Sequence, residues 1–327
     1  MDLLKDSEGR QFHYLRLSVT EVCNFRCVYC LPQGYQPRDC VRPSLSTPEI
    51  RNLVGGFAGL GFSKVRLTGG EPTVRRDIVE LARAVASVAG IRTVALTTNG
   101  WRLKKLATAL RDAGVTALNV SVDSLDPDRF RRTTGNSKLA DVLEGIDAAF
   151  DAGFKTVKVN TVLMKGLNDV DFEAFVDWTG RQPVTVRFIE LMRTGDNQAL
   201  FEQHHLPSSE LAAKLLKAGW TPTARAAADG PAAEFTRPGN PGRVGLIAPY
   251  STSFCRACNR LRVSSQGELR LCLFGEKDYP LRALLQSPQQ RDDLIAAVRR
   301  VIQRKPVAHQ LLEGRHGTTA SLAAIGG

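Results

Sequence analysis

The 327-residue chain has no run of about 18 apolar residues, so nothing in it reads as a membrane-spanning helix. Its opening, MDLLKDSEGR, is charged and lacks the apolar core of a secretory leader, so the expected compartment is the cytoplasm. There is no G-x4-G-K-[ST] loop and no G-x-G-x-x-G fingerprint. A polyphosphate would therefore be held by cationic side chains rather than by either of those backbone cradles. Aromatic residues make up only 7%, and no long block of lysine and arginine stands out. The formal charge of +11 thus leaves two partners open: a nucleic acid, or a small anion held in a basic site. No unit repeats along the chain. Apolar residues make up 43%, which is enough for a full core and excludes disorder as the default reading.

Seven cysteines are present, and their placement excludes a disulfide framework. Cys23, Cys27 and Cys30 form a C-x3-C-x2-C group, and Cys255, Cys258 and Cys272 form a C-x2-C-x13-C group. Two tight triplets far apart in a chain of intracellular type favour metal or iron–sulfur ligation. Cys40 belongs to neither and reads as a bystander.

Six β-branched runs recur, at 15–19, 64–69, 93–100, 117–123, 156–164 and 185–191. Amphipathic stretches lie between them at 47–60, 77–89, 102–113, 138–152 and 169–180. The first has a start signal, Ser46-Thr47-Pro48-Glu49. Regular alternation predicts parallel strands with crossover helices, and six βα units predict a partial barrel. Four of the strands alternate apolar and polar residues: Leu15, Leu17 and Val19 oppose Arg16, Ser18 and Thr20, and Val157 and Val159 oppose Lys158 and Asn160. Val65 and Leu67 oppose Arg66 and Thr68, and Val120 and Val122 oppose Asn119, Ser121 and Asp123. Successive side chains point to opposite faces. One face is therefore expected to meet helices and the other to line a wet, cationic concavity. Residues 221–243, rich in Ala, Pro and Gly, read as a loop or linker. The runs at 244–249, 260–265 and 268–273 read as shorter strands, the last two joined by a hairpin turn. The expected division is 1–220 for the βα core and 221–327 for a smaller C-terminal domain that closes the cavity.

Three thiolates on a four-iron cube leave one iron free for a substrate or cofactor. The alternative is a Cys3His zinc site, with His13 the nearest candidate. The spacing of the first triplet, with Tyr29 before its last cysteine and TGGEP (68–72) at the end of the second strand, resembles the radical S-adenosylmethionine (SAM) superfamily. The wider set LRLSVTEVCNFRCVYC, RLTGGEPTVRRD, TTNG, NVSVDSLD, VKVNTVLMKGLND, RFIELMRTGDN, CNRLR and the terminal GG spans nearly the whole chain. It resembles the GTP 3′,8-cyclase family of molybdenum-cofactor biosynthesis (the biosynthesis protein A type).

That resemblance implies two [4Fe–4S] clusters, with SAM as co-substrate. Cys23, Cys27 and Cys30 match the ligands of the SAM-cleaving cluster, and Cys255, Cys258 and Cys272 those of the second. Tyr29, Gly70, Ser121 and Met192 match positions that contact SAM. Arg16, Arg66, Thr97 and Lys158, with Arg260, Leu261 and Arg262, match positions that contact GTP. Arg260, Arg262, Gly326 and Gly327 match positions with a part in catalysis. The implied reaction removes the 3′ hydrogen of the GTP ribose and joins C3′ to C8, giving (8S)-3′,8-cyclo-7,8-dihydroguanosine 5′-triphosphate. An electron donor and the next pathway enzyme, cyclic pyranopterin monophosphate synthase, are the implied partners. Neither nucleic acid nor membrane is expected, and the protein is expected to be a monomer or homodimer. The tail, GRHGTTASLAAIGG (314–327), reads by composition as a frayed end, whereas the resemblance implies that it reaches into the cavity. Two other readings remain: another radical SAM enzyme with an auxiliary cluster, such as a peptide-modifying one, and a zinc-containing nucleic-acid-binding module.

Overall fold

A computed structural model describes residues 3–37, 43–224, 230–319, 322, 323 and 325. A small hairpin, β1 (Leu4–Lys5) and β2 (Gln11–Phe12), precedes six parallel strands. These are β3 (Tyr14–Ser18), β4 (Lys64–Thr68), β5 (Thr93–Thr98), β6 (Val115–Ser121), β7 (Val157–Leu163) and β8 (Thr185–Glu190). The helices between them are α1 (Thr47–Gly59), α2 (Ile78–Ala86), α3 (Leu103–Asp112), α4 (Pro127–Thr134), α5 (Leu139–Asp151) and α6 (Phe172–Thr179). After β8 come α7 (Gln198–His204), α8 (Ser208–Lys217), β9 (Thr221–Pro222), β10 (Ala233–Thr236) and β11 (Arg243–Ile247). The chain continues through β12 (Arg260–Val263), β13 (Glu268–Arg270) and β14 (Tyr279–Pro280) to α9 (Arg291–Ile302).

Among the described residues one sheet runs β14-β13-β12-β3-β4-β5-β6-β7-β8-β11-β10-β9, with different strands at its two edges. The six βα units therefore form a partial, open barrel. The C-terminal region lengthens the parallel sheet at both ends: β12 pairs with β3, and β11 pairs with β8. The alternation read from the sequence decides the layering. Leu15, Leu17, Val65, Leu67, Val120 and Val159 are fully buried against the helices, while Arg16, Arg66, Asn119 and Lys158 line a cavity on the other face.

The β12–β13 hairpin forms as expected, with Arg262 opposite Arg270. Of the stretch 221–243, residues 225–229 lie outside the described residues, and the rest is more structured than its composition suggests. It contains β9 and β10, Arg243 opens β11, and Phe235, opposite Val244, is buried. Strands this short at a sheet edge leave no periodicity to read. Cys40 lies outside the described residues.

Helix α1 bolts the two halves of the chain together. Ser46 caps it in a capping box with Glu49, and Pro48 fits the first turn, where no backbone N–H is needed. The Glu49 carboxylate also accepts from Arg282 at 2.9 Å and 3.2 Å and from Gln286 at 3.0 Å. Farther along, α1 packs on α9, and a Cβ at Gly56 would come within 2.4 Å of Leu294. Burial alone would raise the Glu49 carboxyl, but hydrogen bonds from Arg282, Ser46 and Gln286 hold it down at about 2 against an ordinary 4.5. A group depressed in the folded state stabilises above its unfolded pKa and loses that contribution as pH falls toward the folded value. Glu49→Gln should therefore lower the unfolding midpoint at pH 7, by on the order of 2 kcal/mol in stability. In thermal melts the gap from wild type should narrow as pH falls below 4.5 toward 2. A gap independent of pH would show that the charge of Glu49 is immaterial.

Candidate active site

Two adjoining cavities open on the polar face of the sheet, one of about 490 Å³ and one of about 160 Å³. Asn160, Ile189 and Met192 line both. Their charges are opposite. Among described residues the larger is lined by nine lysines and arginines and by no carboxylate. The smaller is lined by Glu71, Asp123 and Glu190 and by no lysine, arginine or histidine.

The cations of the larger cavity come from neighbouring strands in register. Arg262, Arg16 and Arg66 occupy one rung across β12, β3 and β4. Burial, followed by repulsion from Arg262, pushes the Arg16 guanidinium well below its ordinary pKa. Arg262 is lowered to about 10 by burial and then by Arg260. Arg66 donates from Nε to the Tyr14 hydroxyl and, at 3.0 Å, to Thr97 Oγ1. Burial would raise the Tyr14 phenol, but Arg66, Arg16 and Lys64 pull it down to about 7. Lys158 Nζ is 3.1 Å from Glu234, which lies outside the lining.

Four cations here were not singled out in the sequence: Lys64, Arg92, Arg187 and Lys305. Arg187 carried a signal, since it alternates against Val186 and Phe188 just as Arg16 does against its neighbours. It is buried, donates to Asn160 at 2.7 Å, and is lowered to about 9 by burial and then by Arg66. Lys64 and Arg92 sit at or before strand starts. Lys305 follows α9, where no local pattern marks it.

Cys255, Cys258 and Cys272 line the same cavity beside Arg260, Arg262 and Lys305. Burial would raise Cys258, but Lys305 and Arg260 bring it down to about 7. Leu261 is fully buried in the core and lines neither cavity, because its neighbours Arg260 and Arg262 take the inward face.

Cys23, Cys27 and Cys30 line the smaller cavity together with Tyr29, Gly70, Ser121 and Met192. Thr97 is also in this lining and touches the larger site through Arg66. The loop that carries the thiols is laid on the TGGEP turn. Gly70 N–H donates to Thr20 O at 2.9 Å, and Glu71 N–H to Val22 O at 2.8 Å. A Cβ at Gly69, whose φ is 143°, would meet Thr20 O at 2.2 Å, and one at Gly70 would meet Val22 O at 2.4 Å. Gly69 and Gly70 make room for the backbone of the cysteine loop. Glu71 locks the turn by accepting from Thr73 N and Oγ1, Thr98 Oγ1 and Asn99 N. Asp123, 1% exposed, accepts from Tyr29 Oη at 2.9 Å and from Val162 N–H at 2.9 Å, and burial raises it to about 6.

The donor set fits iron–sulfur ligation. All six described cysteines are free thiols, and among described residues no group of three or more Cys, His, Asp and Glu could hold a metal ion. Each triplet instead shares a cavity wall, as thiolates at separate corners of a cube require. Burial raises Cys23 to about 11 and Cys30 to about 12, so these thiols need the positive charge of iron to ionise. His13 is not among them. Its Nε2 faces Asn259 at 3.3 Å, and it lines neither cavity.

The tail runs between the two triplets. Thr319 accepts from Arg270 at 3.0 Å, the Ile325 carbonyl accepts from Arg262 at 3.4 Å, and Leu322 and Ala323 line the smaller cavity beside Cys30. Ala323 and Ile325 are buried. Gly326 and Gly327 lie outside the described residues.

Residues 17–179 match the radical SAM superfamily, and residues 184–311 match the family described as Molybdenum Cofactor Synthesis C. The GTP 3′,8-cyclase of Aeromonas hydrophila is 53% identical over 100% of this chain and 97% of its own length. Those of Tolumonas auensis and Yersinia pestis are 52% and 51% identical, over 99% of this chain and 96% and 99% of their own lengths. Among solved structures, Streptococcus suis SuiB bound to S-adenosylmethionine aligns with a TM-score of 0.58 at 13% identity, covering 88% of this chain and 68% of SuiB, a likeness of fold alone. With its thiols, glycine turn and cationic cavity in register, the chain belongs to the GTP 3′,8-cyclase family of the radical SAM superfamily.

Proposed function

We propose that this protein converts GTP to (8S)-3′,8-cyclo-7,8-dihydroguanosine 5′-triphosphate, an early step of molybdenum-cofactor biosynthesis, as a carbon–carbon lyase. The observation that carries this reading is the charge separation between the two cavities. GTP is a polyanion and suits the wall of nine cations; SAM carries a sulfonium and an ammonium and suits the wall with three carboxylates and no cation. Asn160, Ile189 and Met192 form the seam at which the two ligands would meet.

The cluster held by Cys23, Cys27 and Cys30, together with SAM, supplies reductive cleavage and hydrogen abstraction. The rest of the work falls to the chain. Arg16, Arg66, Arg187, Lys158, Arg260 and Arg262 neutralise and orient the triphosphate with forked donors and point charges. Cys255, Cys258 and Cys272, which line the larger cavity, would hold a second [4Fe–4S] cluster, and three thiolates on four irons would leave one iron to take a ligand. The tail excludes water between the two sites. Residues 1–220 act as the radical core and 221–327 as the domain that completes the cavity. Electrons come from an external donor, and the product passes to cyclic pyranopterin monophosphate synthase. The enzyme works in the cytoplasm as a monomer or homodimer, with neither nucleic acid nor membrane. A peptide-modifying activity is not favoured, because a peptide gives no reason for nine inward cations with no Asp or Glu side chain beside them among the described residues.

The direct test is anaerobic reconstitution followed by incubation with SAM, GTP and reductant, with products identified by mass spectrometry. A fully reconstituted sample should hold about eight irons per chain. Cys27→Ser should abolish SAM cleavage, whereas Cys258→Ser should retain some uncoupled cleavage and lose cyclisation. About four irons in the wild type would remove the second cluster. Arg16→Ala and Arg187→Ala should each cost about 1–3 kcal/mol in GTP affinity by calorimetry and leave SAM affinity nearly unchanged. Normal GTP binding in both variants would place the triphosphate elsewhere. Deleting Gly326 and Gly327 should preserve the iron content and SAM cleavage but strongly impair cyclisation; a wild-type rate would return the tail to a frayed end.

A further inference from the structure

We infer that Glu190 gives the smaller cavity its preference for a positively charged co-substrate, and that His205 positions it. This rests on the reading of that cavity as the SAM site. Three carboxylates line the cavity, and they are not equivalent. Glu71 is saturated by the four hydrogen bonds of its turn. Asp123 has one oxygen on Tyr29 Oη and the other on the Val162 N–H. Glu190 has a single partner among described residues, His205 Nε2, at 2.9 Å from Oε1. Its Oε2 accepts nothing there, although the side chain is only 5% exposed. A carboxylate taken out of water is costly unless a counter-charge or hydrogen bonds replace its hydration. At Glu190, which lines the smaller cavity, His205 supplies one such partner, and the second oxygen is left to what the cavity holds.

The carboxylate is also held in place. Glu190 ends β8, opposite Leu163 on β7, two residues before Met192. His205 follows α7, and its ring lies tilted on Phe201 at 4.5 Å and edge-on to Tyr250 at 5.3 Å. The Tyr250 hydroxyl in turn accepts from the Arg193 N–H at 3.0 Å. A ring held between these two presents Nε2–H to Oε1 and leaves Oε2 without a partner among the described residues. Among the described residues no lysine, arginine or histidine lines this cavity to compete for it. The cation assigned to Oε2 is the sulfonium of SAM. Only the sulfonium distinguishes SAM from S-adenosylhomocysteine, the neutral thioether with the same nucleoside and amino acid. A charge-reading residue should therefore separate these two ligands.

The experiment is anaerobic equilibrium dialysis of the cluster-loaded protein with SAM and with S-adenosylhomocysteine, in wild type, Glu190→Gln and His205→Phe. Glu190→Gln keeps the shape and removes the charge. It should weaken SAM about ten-fold while S-adenosylhomocysteine stays within about two-fold, since a charge pair across a water-poor cavity is weakly screened. His205→Phe keeps the stacking and removes the clamp, so it should show the same selective loss at smaller size. Equal weakening of both ligands, or no weakening, in Glu190→Gln overturns the inference and leaves Glu190 a structural residue. If Glu190→Gln does not load its cluster, as iron content would show, His205→Phe decides: selective loss of SAM supports the inference and an unchanged ratio overturns it. Failure of the wild type to bind either ligand refutes the reading of the cavity itself.

Discussion

Like charges stacked on neighbouring strands govern this structure. Arg262, Arg16 and Arg66 lie on one rung of a parallel sheet, with Arg270 beyond Arg262 on the next strand. Neighbouring strands are about 4.8 Å apart. Unit charges at that spacing repel by about 3 kcal/mol per pair in a surface-like dielectric, before the side chains splay. Arg270 is compensated by Asp278 at 2.5 Å and by Thr319. Arg262 donates to the Ile325 carbonyl and Arg66 to Tyr14 and Thr97, and Arg262, Arg16 and Arg66 all line the larger cavity. The row makes that wall strongly cationic where the triphosphate is proposed to sit.

The other cavity solves a different problem. Three half-buried thiols must be presented together in a cavity whose described lining has no cation to ionise them. The sequence spends two glycines and a buried glutamate on this. Gly69 and Gly70 let the TGGEP turn touch the backbone of residues 20–22, and Glu71 fastens that turn to the end of β5. The start of the cysteine loop is therefore positioned by backbone contacts, which leaves its thiols available as ligands. Tyr29 Oη is tied to Asp123, two residues past β6, so the loop is fixed at both ends.

Among the described residues the two cavities share Asn160, Ile189 and Met192. The tail is held at Thr319 by Arg270 and at Ile325 by Arg262, members of one rung, and its Leu322 and Ala323 line the smaller cavity. The larger cavity, the second triplet and these tail residues are in this way joined through a single row of arginines.

Much of this was legible from period and spacing. The two-residue alternation in LRLSV, KVRLT and TVKVN marked the inward face, because a β-strand cannot present neighbouring side chains to one side. The same rule marks Arg187. The two cysteine triplets and TGGEP are local in the chain, so their chemistry could be read locally. Lys305 and Glu190 could not be read in this way. Lys305 reaches the cavity because α9 packs on α1 across some 240 positions of sequence, and Glu190 gains its role from a histidine clamp built by α7 and Tyr250. The edge strands β9 and β10 are too short to carry a period. The sequence by itself determined which residues face inward and which thiols work together, since both follow from short-range geometry. Only the tertiary structure decided that the charges sort into two cavities of opposite sign, because that depends on which strands become neighbours: β12 beside β3 and β11 beside β8, pairings between residues far apart in the chain.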